Sequence, residues 1–145
     1  MRALLALTVC VALTACGKPP ELSAKDAWIR LAAVPDRPAG GYVDITGGTA
    51  KATLLAASTP VALRTEIHES MEHGGMMKME ALGQVDVPPG VTISFAPGGK
   101  HLMFFDVSPE LKPGATAPLT LKFAEGQTLT LDAKVIAAGD PAPAK

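Results

Sequence analysis

The histidines and methionines of this sequence are gathered in one place. His68, His73 and His101, with Met71, Met76, Met77, Met79 and Met103, all fall between Glu66 and Phe104, and the one remaining methionine is Met1. Methionines used as core gap-fillers would scatter among the elements of a fold. Imidazole nitrogen together with thioether sulfur is a soft donor set that favours Cu(I). Zinc prefers thiolates or more imidazoles, and calcium and magnesium demand oxygen. Thioethers have no proton to lose, so only the histidines make such a site sensitive to pH. Taken singly, each residue has an ordinary alternative: His101 as a hydrogen-bonded histidine, Met103 as core, His73, Met71 and Met76 as loop residues. The clustering is what points to a metal.

These donors need elements that bring them together. His101 and Met103 are two apart in a β-like run, so a strand projects them from the same face. Pro97-Gly98-Gly99 before them marks a turn at one end of that strand. His68 ends another β-like run, and Met79 lies just inside the next. Between them Glu69–Lys78 is expected to be a polar loop bending at Gly74-Gly75, which returns the two strands beside each other. Met77 and Met79 alternate with Lys78, and either can be the inward residue. The carboxylates Glu66, Glu69, Glu72 and Glu80 are expected to solvate this loop and its strands.

The whole chain supports a strand-built frame. Its 145 residues suit one domain, and Gly 14 with Pro 13 are too many for a helical bundle. Thirteen basic against fourteen acidic residues give a net charge of −1, which excludes nucleic-acid binding by phosphate neutralisation. Strands are expected at Ala27–Leu31, Gly41–Ile45, Thr53–Ala57, Ala62–Glu69, Met77–Ala81, Val91–Phe95, His101–Val107, Pro118–Phe123 and Thr128–Ile136. Alternation is clearest where Leu119, Leu121 and Phe123 oppose Thr120 and Lys122. Ser108–Lys112 reads as a single helical turn. The expectation is a single all-β domain, a sandwich or a barrel.

The first residues stand apart from that domain. Met1-Arg2 and the apolar run Ala3–Leu13 read as a secretory signal, too short to span a bilayer. Leu13-Thr14-Ala15-Cys16 resembles a bacterial lipobox, which implies cleavage before Cys16 and lipidation of its thiol. Residues 1–15 are then signal peptide, 16–24 a lipidated cysteine and tether, 25–137 the domain, and 138–145 a flexible tail. Cys10 and Cys16 are the two cysteines, so the domain has no thiolate or disulfide. Blue-copper electron transfer needs a thiolate, so a copper site here holds and releases its ion. Gly17 after the cysteine resembles outer-membrane sorting. No Gly-x-Ser-x-Gly context or paired general acid and base is visible, so an enzyme is not expected.

The spacing His68, ten residues, Met79, twenty-one residues, His101, one residue, Met103 resembles the signature of the periplasmic PCu(A)C copper chaperones. Ala27-Trp28-Ile29-Arg30, Gly41-Tyr42, Met77-Lys78-Met79 and Pro97 to Met103 are similar as well. The resemblance implies a cupredoxin-like antiparallel β-sandwich that binds one Cu(I) at an exposed edge through His68, Met79, His101 and Met103. It also implies delivery toward the CuA centre of cytochrome c oxidase subunit II, alongside Sco-type chaperones. Some relatives bind Cu(II) on a His- and Met-rich C-terminal extension, but residues 137–145 contain neither type. The lipobox departs from freely diffusing relatives and implies hand-over at a membrane surface, on the inner or the outer membrane. A copper-buffering lipoprotein without a client, and a structural lipoprotein sandwich, are the other readings.

Overall fold

The computed structural model describes residues 19–144, and the statements that follow concern those residues. The expected signal peptide and the lipidation site at Cys16 lie outside them. Ten strands run in chain order: β1 (Ser23–Arg30), β2 (Ala39–Thr46), β3 (Ala52–Ser58), β4 (Ala62–His73), β5 (Met76–Leu82), β6 (Val85–Val87), β7 (Thr92–Phe95), β8 (Lys100–Val107), β9 (Thr116–Phe123) and β10 (Thr128–Ile136). They form one hydrogen-bonded path, β5-β4-β8-β2-β1-β10-β9-β3-β6, with β7 paired to β2. The fold is all-β, as expected. One pairing departs from the antiparallel expectation: β1 and β10 run parallel, with Trp28 opposite Lys134.

The path folds over so that both of its halves bury a common core. Leu119, Leu121 and Phe123 of β9 are buried, whereas Thr120 and Lys122 between them are not. The same alternation puts Val43 and Ile45 of β2 and Leu102 and Phe104 of β8 into the same cluster. Gly41 is required there by close approach. A Cβ at that position would stand 2.3 Å from a ring carbon of Phe104. No methionine belongs to the buried core.

Two local readings change. The segment expected as a loop, Glu69–Lys78, continues the pairing of β4 and β5 until His73 faces Met76, which leaves a two-residue turn at Gly74-Gly75. Both glycines have positive φ, 61° and 80°, the requirement of a type I′ hairpin turn. Ser108–Lys112 is a hydrogen-bonded turn closed by Leu111 N–H donating to the Ser108 carbonyl, and Pro113 offers no N–H to extend it. At the far end, Arg30 Nη2 donates to the Asp140 carbonyl and Ala137 N–H donates to the Asp140 carboxylate. These bonds tie residues 137–140 back toward β1.

Candidate metal centre

Strand alternation decides which side chains share a face of the β5-β4-β8 segment. His68 lies directly opposite His101, and Glu66 opposite Met103, across β4 and β8. Ser70 lies opposite Met79 across β4 and β5, so Met79 is diagonal to His68. His68, His101, Met103 and Met79 therefore stand on one face, while Ile67, Leu102 and Phe104 point the other way into the core. Met77 shares that face one step nearer the hairpin tip. Met71, His73 and Met76 fall on the reverse side.

The two imidazoles are the fixed part of this constellation. Their ring centroids are 6.0 Å apart, a gap largely spanned by two metal–nitrogen bonds of about 2 Å each. His101 is 8% exposed and the His68 side chain 14%. Met103 is half-buried, and Met79 is 53% exposed. The donors thus run from enclosed nitrogen to open sulfur.

Each imidazole already has one nitrogen committed to oxygen. His101 Nδ1 is 2.9 Å from the Gly99 carbonyl, and His68 Nε2 is 2.8 Å from a Glu66 carboxylate oxygen. Carbonyl and carboxylate oxygens only accept, so both of these ring nitrogens donate, and the neutral form of each ring carries its lone pair on the other nitrogen. In His68 that nitrogen, Nδ1, is buried with no hydrogen-bond partner. A buried unpaired acceptor is costly unless something fills it. Ligating histidines characteristically hold their second nitrogen this way.

The supports of the two rings differ. The turn before β8 closes with Gly99 N–H donating to the Ala96 carbonyl. Pro97 holds its second position, and Gly98 at φ 83° its third, as in a type II turn. The Gly99 carbonyl also accepts from Ser70 N–H at 3.0 Å, so one oxygen anchors β4 to the His101 ring. Glu66 contacts Arg64 on its other oxygen, and the Arg64 guanidinium sits 3.7 Å over the Phe105 ring. Glu66 thus differs from the expected solvating carboxylate and is the hydrogen-bond partner of His68. The available signal was its position two residues before the histidine on the same strand. Glu69 behaves differently, pairing with Lys100 at 2.6 Å.

The same outer face continues onto β2 and β1. Gly40 lies beside Met103 in register, and a Cβ there would meet the Tyr42 hydroxyl at 2.8 Å. Tyr42 therefore lies across bare backbone next to Met103 and stacks on Trp28 with centroids 4.1 Å apart. Burial raises the Tyr42 phenol above its ordinary pKa, against the opposing charge of Arg30, so it stays neutral. Among the described residues no three His, Cys, Asp or Glu side chains converge to hold a metal ion. An ion on this face would have to draw on the thioethers.

The sequence family described as "Putative lipoprotein LpqE-like" matches residues 22–135. The chain belongs to that family. A relative named "Putative lipoprotein" in Leifsonia xyli subsp. xyli is 33% identical over 132 residues, covering 86% of this chain and 79% of its own length. Among solved structures, a copper-bound PCuAC domain from PmoF2 matches with a TM-score of 0.67 at 21% identity, over 82% of this chain and 95% of that one. The Cu(I) form of DR1885 from Deinococcus radiodurans matches with a TM-score of 0.62 at 25% identity, over 86% and 83%. The fold is that of PCuAC domains, as the spacing of the four His and Met residues implied.

Proposed function

We propose that this chain is an extracytoplasmic, lipid-anchored copper chaperone that carries Cu(I) on His68, Met79, His101 and Met103. The observation that carries this reading is the pair of facing imidazoles, each held through one nitrogen, on the sheet face that also carries Met79 and Met103. Neutral nitrogen and sulfur donors suit a soft monovalent ion. The exposed Met79 gives an incoming ligand a place to displace sulfur and take the ion. The PCuAC structures titled copper-bound and Cu(I)-bound support copper as the cargo. The lipoprotein names of the family and its Leifsonia relative support the anchor at Cys16.

Absorption-edge spectroscopy on the copper-loaded protein tests the cargo directly. It should show Cu(I) with two nitrogen and two sulfur neighbours, and a shell of oxygen and nitrogen alone would refute the ligand set. The client we infer is the CuA centre of cytochrome c oxidase subunit II, reached directly or through a Sco-type partner. Deleting the gene should lower oxidase activity at limiting copper. Unchanged oxidase activity would assign the protein to copper buffering.

A further inference from the structure

The β4–β5 hairpin carries more sulfur than the four-donor face uses. Residues 70–81 contain Met71, Met76, Met77 and Met79 but no Leu, Ile, Val or Phe. Met71 is 42% exposed and Met76 74%. A hairpin tip with both faces in water gains nothing from apolar side chains, and the core is built without methionine. The thioethers at the tip are therefore explained by the chemistry of their sulfur rather than by burial.

We propose that the reverse face of this tip is a second, shallower Cu(I) site formed by His73, Met76 and Met71. His73 and Met76 are direct cross-strand partners flanking the Gly74-Gly75 turn, a relation that holds their Cβ atoms about 4.5–5.5 Å apart. Met71 precedes His73 by two residues and shares its face. One imidazole and two flexible thioethers thus surround one point at the end of the hairpin, a donor set that selects Cu(I). Lys78 stands opposite Met71 on this face, and its charge weakens the hold on a cation, as befits a site that releases. Met76 and Met77 are consecutive and point to opposite sides of the edge strand β5. An ion can therefore leave His73, Met76 and Met71 for Met77 and Met79 by exchange of neutral ligands, with no change in oxidation state and no proton moved at sulfur.

This inference rests on the same cargo as the proposed function but on different residues, so the two can fail separately. The full chain, labelled at its methionine methyl groups and carrying Cys10→Ser and Cys16→Ser to remove competing thiols, is titrated anaerobically with acetonitrile-stabilised Cu(I). The first equivalent should move the Met79 and Met103 methyl resonances, and the second those of Met71 and Met76. His73→Ala with Met76→Leu should abolish the second step and leave the first, since both residues are exposed and neither supports the core. His101→Ala with Met103→Leu should abolish the first step while Met71 and Met76 still respond. Met71 and Met76 resonances that stay still through two equivalents in the unaltered hairpin, or a Met71 resonance that moves equally in the His73→Ala, Met76→Leu variant, overturn the second site. If they respond while Met79 and Met103 do not, the second site stands and the four-residue ligand set falls.

Discussion

His68 and His101 face one another across β4 and β8 with ring centroids 6.0 Å apart, and their hydrogen bonds come from opposite sources. A backbone carbonyl holds His101, whereas a side-chain carboxylate holds His68. One half of the imidazole pair is fixed by the turn before β8 and cannot be mutated away. The other half depends on a single residue.

Replacing Glu66 should therefore loosen the site without dismantling the fold. Glu66→Ala is expected to lower Cu(I) affinity by about 10–100-fold, the usual effect of removing such an outer partner. Glu66→Gln, which can still accept from His68 Nε2, should fall between wild type and alanine. Competition against a Cu(I) chelator measures both, and equal affinities for all three proteins would remove Glu66 from the site.

Thioether loss can be separated from loss of bulk. Met79→Leu and Met103→Leu nearly conserve volume, and neither residue lies in the buried core. Each should unfold at the wild-type denaturant midpoint yet bind Cu(I) more weakly. Chelator competition beside urea denaturation reads both quantities. A Met103→Leu protein with unchanged affinity would leave the ion without its second sulfur.

Gly41 supports the strand that carries His101 and Met103, two of the four proposed donors. A methyl group there would collide with Phe104 and press on Leu102, which lies between His101 and Met103. Gly41→Ala should cost about 1–3 kcal/mol, as overpacked cores do, read from the shift in chemical denaturation. Restored stability in Gly41→Ala with Phe104→Leu would identify the ring as the obstacle.

Acid sensitivity should appear at the opposite edge of the sheet. The hydrogen bond from Lys51 Nζ to Asp86, at 2.8 Å, holds that carboxyl below its ordinary range, with Thr53 helping. A carboxyl depressed on folding stabilises the protein above its unfolded pKa, and the contribution disappears as pH falls through the folded value. The Asp86 side chain is 50% exposed, so solvent screening keeps the effect small. By NMR titration, Lys51→Met should raise the Asp86 midpoint. An unmoved midpoint would show that the pair does not set it.

Much of this molecule is legible in its sequence, for definite physical reasons. Nine strands announce themselves through alternation and intervening turns, most plainly Leu119 to Phe123 and Leu129 to Val135. β6, Val85–Val87, is too short to show a period. The hairpin tip hides its strand character because both faces are wet, so Met71 to His73 carry no buried-and-exposed pattern. Only Gly74-Gly75 marked it as a tight return. The parallel pairing of β1 with β10 joins the two ends of the domain, and no local signal encodes it. The common face of His68, Met79, His101 and Met103 follows from residue parity once strands are assumed. The role of Glu66 required seeing which direction the His68 ring takes.

A core free of methionine has a consequence for how the protein meets oxidants. Peroxide or hypochlorous acid converts thioethers to sulfoxides, and every thioether in the described chain lies on or beside the face that carries His68 and His101 or at the hairpin tip. With copper carried as proposed, oxidative damage would strip the molecule of that ion while leaving its architecture standing, and enzymatic reduction of the sulfoxides would return it to service without refolding.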